Sequence, residues 1–350
     1  MTRGLALALV AAAGACGRLD GRFDWLEPSS PAITIALDID DLRDAYRRPY
    51  HYTVRHERSG VTTDLHAVAI VGGRAYAAGD GGLVLRRTTW GGWEREVTPA
   101  TRRLRALVAV EHAGLYAVGD AGTVLRRSAD GRWSVEPVPT TVDLYDVVQV
   151  DGEFYAVGDR GTLLVRRDGA WRAIATNTEA DLRRFDGRIA VGRGGVIVDC
   201  AMWDRDQAEL AHQLVCVPSP SPTTADLRAI STAGFTWRAF GNDGASVRAV
   251  ARQPFEGARD APVRQGATIT ATAVMSSDTE PVYPPPPTVL VGTRGLVVFS
   301  AWRITSIVLP GAPDLFGAAH AMFDVFAVGA GGTIVHFRAT DAHVDEVILI

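Results

Sequence analysis

A repeated segment constrains the fold of this 350-residue chain more than any other feature. Its clearest copies are RAYAAGDGGLVLRR at residues 74–87, GLYAVGDAGTVLRR at 114–127 and EFYAVGDRGTLLVRR at 153–167. Weaker copies follow, and each copy has a glycine at the end of its first apolar run; these anchor glycines are Gly79, Gly119, Gly158, Gly192, Gly241, Gly292 and Gly329. A spacing of roughly 40 residues, with several short strands per unit, is typical of propeller blades.

Each repeat unit has the pattern of four short strands. An apolar alternation precedes the run that ends at the anchor glycine, a third run such as TVLRR follows the turn, and a tryptophan (Trp93, Trp133 or Trp171) marks an outer fourth strand. Consecutive apolar positions suit strands that are covered on both faces. We therefore predict an all-β β-propeller of seven four-stranded blades, with six or eight as alternatives. The outer strand of the last blade comes either from residues 50–57 or from residues 345–350.

The Gly-Asp-x-Gly segment between the second and third strands is interpreted as a turn. Glycine adopts positive φ at no steric cost, and aspartate can bond its own backbone two residues on. Asp80, Asp120 and Asp159 recur at this place, and a ring of carboxylates is also compatible with metal binding. The turn role already explains them, and the eight His residues lack metal-ligand spacing. We expect neither a metal nor a cofactor.

The N-terminus has the pattern of an export signal. A basic start is followed by nine apolar residues at 4–12, a run too short to span a bilayer as a helix. Ala13 and Ala15 fit a cleavage site, and Cys16 directly after it fits a bacterial lipidation site. We expect residues 1–15 to be a signal peptide, residues 16–50 a lipid anchor and tether, and residues 51–350 a single propeller domain. Simple secretion is the alternative.

A lipid-anchored chain would lie in the cell envelope, outside the cytoplasm. Gly17 rather than Asp follows Cys16, so attachment to the outer membrane is expected. Cys200 and Cys216 fall in two apolar segments that read as neighbouring strands, and an oxidising compartment favours a disulfide between them. Two separate buried thiols are the alternative.

Pairs of arginines end the third strand of the clearest repeats; they are Arg86 and Arg87, Arg126 and Arg127, and Arg166 and Arg167. One member of each pair could line a basic strip that binds an acidic partner. The alternative is that the pairs cover blade edges with solvated charge. Specific function is otherwise expected in the segments that are not repeated, which follow Cys216, Arg248 and Met275.

The run YAVGDAGTVLRR from Tyr116, with Asp130-Gly-x-Trp133 after it, resembles the repeat of photosystem II assembly and stability factors, within the bacterial neuraminidase-repeat propellers. The resemblance covers residues 64–178 well and residues 181–350 weakly. It implies binding of a protein partner, whose identity is unknown, or an assembly role without catalysis.

Two further classes of function stay open. A sialidase-like glycoside hydrolase or lyase can share the fold, although SADGRW at residues 128–133 is only a shortened form of the Ser-x-Asp-x-Gly-x-x-Trp box and no catalytic residues are predicted. A structural envelope protein is the third class. The net charge of −4 argues against nucleic-acid binding, and we expect a monomer.

Overall fold

A computed structural model describes residues 33–36, 51–110, 114–202, 214–233, 236–250, 253–258, 267–273, 288–300, 304–321 and 324–340. These residues form seven antiparallel sheets, which are the seven four-stranded blades of a closed β-propeller. The predicted fold class and blade number are confirmed.

Two strands precede the first blade: β1 (Ile33–Ala36) and β2 (His51–Glu57). Blade 1 contains β3 (Leu65–Val71), β4 (Arg74–Gly79), β5 (Val84–Arg87) and β6 (Trp93–Glu96). Blade 2 contains β7 (Leu104–Val110), β8 (Gly114–Gly119), β9 (Thr123–Arg127) and β10 (Trp133–Val135). Blade 3 contains β11 (Leu144–Val150), β12 (Glu153–Gly158), β13 (Leu163–Arg167) and β14 (Ala170–Ile174).

Blade 4 contains β15 (Leu182–Phe185), β16 (Ile189–Gly192), β17 (Ile197–Met202) and β18 (Leu214–Ser219). Blade 5 contains β19 (Leu227–Ala233), β20 (Thr236–Gly241), β21 (Ser246–Val250) and β22 (Glu256–Gly257). Blade 6 contains β23 (Ile269–Ala273), β24 (Thr288–Gly292), β25 (Leu296–Ser300) and β26 (Ile304–Val308). Blade 7 contains β27 (Leu315–Ala321), β28 (Asp324–Gly329) and β29 (Ile334–Thr340).

The N-terminal strand β2 closes the ring. It pairs antiparallel with β29 and so becomes the outer strand of blade 7. Of the two closing strands that the sequence allowed, residues 51–57 fill this place; residues 345–350 lie outside the described part of the chain. Strand β1 falls within the predicted tether and pairs with β2 as an additional fifth strand.

The apolar runs of the repeat are the core between blades. In β8, Leu115 and Ala117 pack toward blade 1, whereas Tyr116 and Val118 pack toward blade 3. Every position of β8 after Gly114 is therefore buried, which explains why its apolar residues are consecutive. Seven hydrophobic clusters lie at the seven junctions between blades.

The anchor glycines are needed for a close approach, not for positive φ. Gly119 has φ −171°, which is extended backbone open to any residue. A Cβ on Gly119 would lie 1.9 Å from the carbonyl oxygen of Arg103, at the start of the innermost strand of the same blade. The expectation of positive φ in the Gly-Asp-x-Gly turn is therefore wrong for the anchor glycine and confirmed for the glycine that ends the turn. Positive φ occurs instead at the third and fourth turn residues, such as Ala121 and Gly122.

An aspartate just before the innermost strand links each of several blades to the preceding one. The Asp143 carboxylate accepts a hydrogen bond from the backbone N–H of Ala121, in the turn of the preceding blade, at 2.9 Å. Asp64, Asp181, Asp226 and Asp314 do the same at four other junctions. The carbonyl of Asp143 accepts from the N–H of Asp159 in its own blade. One residue thus fixes a turn in each of two blades.

Three junctions share a second device, which we call the Glu–Arg–Trp clamp. At the junction of blades 1 and 2, Glu96 accepts hydrogen bonds from Arg127 Nε and Nη2, both at 2.8 Å, and from Trp133 Nε1 at 2.7 Å. The equivalent residues are Glu57, Arg87 and Trp93 between blades 7 and 1, and Glu136, Arg166 and Trp171 between blades 2 and 3. Each glutamate belongs to the outer edge of one blade and binds the next, which ties neighbouring blades together.

Candidate functional site at the channel mouth

The seven innermost strands each contain a β-bulge at their second residue. The pairing register of β3 shifts between Leu65 and Ala67, so that His66 has no partner directly opposite, and the other six blades repeat the shift. The seven bulged residues are His66, Arg105, Tyr145, Arg183, Arg228, Thr270 and Phe316. A bulge re-aims a side chain relative to the regular pleat.

The bulged side chains converge. All seven of them, together with Arg184, line one cavity of about 170 Å³. The innermost strands of adjoining blades contact each other all round the ring. The cavity is therefore the mouth of the central channel, at the end where these strands begin. It combines four arginines with aromatic rings; blade 4 contributes two residues and every other blade contributes one.

One side of the mouth is a stack of guanidinium groups on a tyrosine ring. Arg183 Cζ lies 3.6 Å from the centroid of the Tyr145 ring, and Arg105 Cζ lies 4.8 Å from it. Arg105 also pairs with Asp120 at 2.5 Å and Asp143 at 3.1 Å. These contacts hold the guanidinium planes in fixed orientations.

Blade 1 contributes an imidazole to the mouth. The His66 ring stacks on Phe316 with 5.4 Å between centroids, and His66 Nε2 lies 2.9 Å from Asp80 Oδ1. Arg103 Nε donates to the same carboxylate oxygen at 2.6 Å. The Asp80 carboxylate thus contacts the side chains of His66 and Arg103, as that of Asp120 contacts Arg105, whereas a bond to its own backbone was expected.

Arg184 and Arg228 are the other two arginines that line the mouth. Arg184 Nη1 donates to the carbonyl oxygens of Arg183 and Tyr145, and its Nη2 donates to that of Thr270 at 3.4 Å, so it bridges three blades. Burial lowers the pKa of Arg228, the charge of Asp226 at 3.4 Å opposes that shift, and the charges of Arg183 and Arg184 add to it. A group whose charged form is disfavoured by neighbouring cations gains when an anion binds beside it.

Asp159 is a carboxylate at this rim with incomplete hydrogen bonding. Burial raises its pKa, the Tyr145 hydroxyl opposes that shift, and Asp181 and Asp143 add to it. Its Oδ1 is buried and accepts no hydrogen bond from the residues that the structure describes. Burial also raises the pKa of Tyr145.

The arginine pairs predicted from the sequence lie elsewhere. Arg87, Arg127 and Arg166 belong to the clamps, Arg167 pairs with Glu153, and Arg86 pairs with Glu94 and Glu96. Arg126 lies over the Tyr116 ring at 6.0 Å. In the third repeat the clamp residue is the first arginine, and in the other two it is the second. The pairs therefore do not form one repeating strip, and binding of a partner by them stays a prediction.

Cys200 and Cys216 form a disulfide across β17 and β18. Cys16 and the predicted insert after Met275, residues 276–287, lie outside the described residues. Of the segment after Arg248, the structure describes residues 249–250 and 253–258, including the two residues of β22.

Sequence reasoning missed the bulged residues, although a signal for them exists. Each follows the first apolar residue of an innermost strand, in pairs such as Leu104-Arg105, Leu182-Arg183 and Leu227-Arg228. If the repeats are aligned at that leucine rather than at the anchor glycine, Arg105, Arg183 and Arg228 fall at the same position of the alignment.

Over the part of the chain that the structure covers, no helix is long and apolar enough to cross a membrane. Within the same residues, no group of three or more His, Cys, Asp or Glu side chains is arranged to hold a metal ion.

The fold and the converging bulges define a seven-bladed propeller with an arginine-lined channel mouth. No protein-family model and no curated protein matches the sequence. Among solved structures, the chain is similar to YCF48 bound to D1 peptide, with 14% identity, a TM-score of 0.62, and coverage of 85% of this chain and 97% of that one.

Two other solved structures are also similar to this chain. One is a catalytically inactive virginiamycin B lyase from Staphylococcus aureus with quinupristin, at 9% identity and TM-score 0.66, covering 82% of this chain and 99% of the lyase. The other is the WD40 propeller domain of Doa1, at 12% identity and TM-score 0.62, covering 81% and 96%. At these identities the likeness shows the fold alone.

Proposed function

We propose that this chain is a non-catalytic binding propeller that takes an acidic segment of a partner protein at its channel mouth. The observation that carries the proposal is the convergence of Arg105, Arg183 and Arg228 on one cavity through equivalent bulges, with Arg184 beside them. Guanidinium groups bind carboxylates in a bidentate manner, and aromatic rings beside them supply apolar contact. The binding of D1 peptide by YCF48 is a precedent on the same architecture.

A cavity of about 170 Å³ is small, so it suits one or two side chains or a chain terminus rather than a folded surface. The surrounding turns would then provide the remaining contact area. Because charge dominates the mouth, affinity should fall as salt rises.

Site-specific photo-crosslinking in the native envelope tests this binding face. A photoreactive residue at Phe316 lies in the mouth. The matched control is Trp90, which is 95% exposed in the turn between β5 and β6, at the opposite end of the blade. We expect a partner captured from Phe316 and not from Trp90. Equal capture from both positions would contradict the proposal.

Binding of the captured partner, once purified, gives the quantitative test. The double variant Arg183→Gln, Arg228→Gln should weaken binding by at least about tenfold, with a shallower salt dependence. The control is the exposed pair Arg132→Gln, Asp130→Asn, which should leave binding unchanged. Turnover of glycan or cyclic-peptide substrates by the purified chain would instead favour the hydrolase or lyase alternative.

We also propose that Cys16 carries a lipid and that the propeller lies in the cell envelope, attached to the outer membrane. The support is the basic start, the short apolar run and the small residues before Cys16. Labelling with a palmitate analogue should mark the wild type and not Cys16→Ala. Label that survives in Cys16→Ala would exclude lipidation at this residue.

A further inference from the structure

The junction that closes the ring contains a histidine between two carboxylates. His336, on β29, is 8% exposed. Its Nε2 lies 2.6 Å from Asp324 Oδ1, and its Nδ1 lies 3.2 Å from Glu57 Oε1. Glu57 belongs to β2, the N-terminal strand, and Asp324 to β28, so the imidazole joins the two neighbours of its own strand.

Two carboxylate contacts require two N–H groups. An ionised carboxylate only accepts hydrogen bonds, and a neutral imidazole has a single N–H. Only the imidazolium satisfies Glu57 and Asp324 together. If His336 loses its proton, one ring nitrogen presents a lone pair to a carboxylate oxygen, and that contact becomes repulsive.

The equivalent position in blade 1 is occupied by a group that does not titrate. His336 pairs in register with Phe326, just as Arg86 pairs with Tyr76. Arg86 Nε lies 3.4 Å from Glu96, the outer-strand glutamate of its own blade, and His336 likewise contacts Glu57, the outer-strand glutamate of blade 7. The ring-closing blade therefore has a titratable cation where blade 1 has a permanent one.

Each element that packs against His336 also contributes charged or titratable groups. From blade 1, Arg87 binds Glu57 through Nε and Nη2. On β29 itself, Arg338 lies near Asp324, and on β2, Arg55 pairs in register with His336 and His56 precedes Glu57. The Phe326 ring stacks on the imidazole at 4.2 Å between centroids, nearly parallel at 6°.

We propose that His336 is an imidazolium in the closed ring and that its deprotonation loosens β2, so that ring closure is linked to protonation. Burial lowers the pKa of His336, but its hydrogen bonds to Asp324 and Glu57 raise it more, and the net shift is upward. A raised pKa means that the stabilisation is complete below the unfolded-state pKa and is lost as pH rises through the folded-state value. Closure should weaken on the alkaline side.

Hydrogen exchange measured by mass spectrometry tests the proposal on the full chain. Exchange in β2, corrected for intrinsic rates, should accelerate by about tenfold relative to β12 between about pH 5 and about pH 9. Strand β12 lies in blade 3 and serves as the internal reference. Parallel changes in β2 and β12 would overturn the proposal.

Two variants separate charge from packing. His336→Arg places the blade 1 residue in blade 7, and β2 should then stay protected across the whole pH range. His336→Gln keeps polarity without charge, and β2 should exchange rapidly at every pH. A wild-type pH dependence in His336→Arg would overturn the proposal, because a permanent cation cannot titrate in this range.

Discussion

Cys200 lies opposite Cys216 at the register position that Arg166 and Trp171 occupy one blade earlier. Arg166, on β13, lies opposite Phe154, and Phe154 is four residues before the anchor glycine Gly158. The N–H of Cys200 likewise donates to the carbonyl of Arg188, four residues before Gly192. The disulfide has therefore taken the place of the arginine and tryptophan of a clamp.

The third member of that clamp has changed as well. Ile174, opposite Leu163 on β14, is at the position of Glu96 and Glu136, and it packs in the same cluster as both cysteines. A glutamate there would face a disulfide that donates no hydrogen bond. The clamp elsewhere is a carboxylate that accepts hydrogen bonds from three N–H groups of an arginine and a tryptophan. At the junction of blades 3 and 4, an apolar isoleucine packed against a disulfide takes its place.

We expect that the disulfide can be exchanged for a clamp. Cys200→Ala with Cys216→Ala should lower the free energy of unfolding by about 3 kcal/mol, because a covalent link that closes this loop is lost. The triple variant Ile174→Glu, Cys200→Arg, Cys216→Trp should recover at least about 1 kcal/mol of that loss. Urea unfolding of both variants measures the difference.

A partial exchange is the control for this prediction. Ile174→Glu alone buries a carboxylate without donors and should destabilise the wild type. If the triple variant is no more stable than the double alanine variant, a clamp at this junction cannot replace the stabilisation that the disulfide provides, and the prediction is wrong.

The clamp glutamates should be among the most sensitive polar positions. Glu96→Ala leaves the Arg127 guanidinium and the Trp133 N–H without their acceptor in a half-buried site, which should cost about 2–4 kcal/mol. The control is Glu94→Ala, which removes an exposed pair with Arg86 on the same strand and should cost under about 1 kcal/mol. Equal losses in thermal or urea unfolding would mean that the clamp adds nothing beyond a surface ion pair.

The repeat predicted the blades because it encodes packing that is local to each unit. Consecutive apolar residues, such as those around Ala117 and the anchor Gly119, indicate a strand that is buried on both faces. That burial requires only that a similar blade packs against each face. Ring closure was left open, because residues 51–57 carry no copy of the repeat.

The candidate site was harder to predict, because it depends on a shift in the pairing register of the innermost strands, which the residue composition does not show. Arg105, Arg183 and Arg228 are far apart in sequence, and the last two fall in weaker or clipped copies of the repeat. Only the bulges bring them to one cavity. The arginine pairs, which are obvious in the sequence, led to a binding hypothesis. In the structure, four of their six members have clamp glutamates as partners: Arg86, Arg87, Arg127 and Arg166.

The anchor glycines should tolerate alanine poorly, for a steric reason. A Cβ at Gly119 meets the Arg103 carbonyl oxygen at 1.9 Å, so Gly119→Ala must push two strands of one blade apart and should cost more than about 3 kcal/mol. The control is Gly169→Ala, where φ is +79° and no atom of the described residues lies within 4 Å; conformational strain alone should cost about 1–2 kcal/mol. Equal unfolding free energies would contradict the steric explanation.

Acid should weaken ring closure through Glu57. Burial alone would raise its pKa, but hydrogen bonds from His336, Arg87 and Trp93 lower it from 4.5 to about 2. A lowered pKa gives stability that is complete above the unfolded-state value and is lost as pH falls from about 4.5 towards about 2, on the order of 3 kcal/mol in all. Glu57→Gln should therefore be less stable than the wild type near neutral pH, and the gap should close at about pH 2. Urea unfolding across that range measures the gap. A gap that stays constant with pH would show that ionisation of the carboxylate contributes nothing, because glutamine does not titrate whereas its other differences from glutamate do not change with pH.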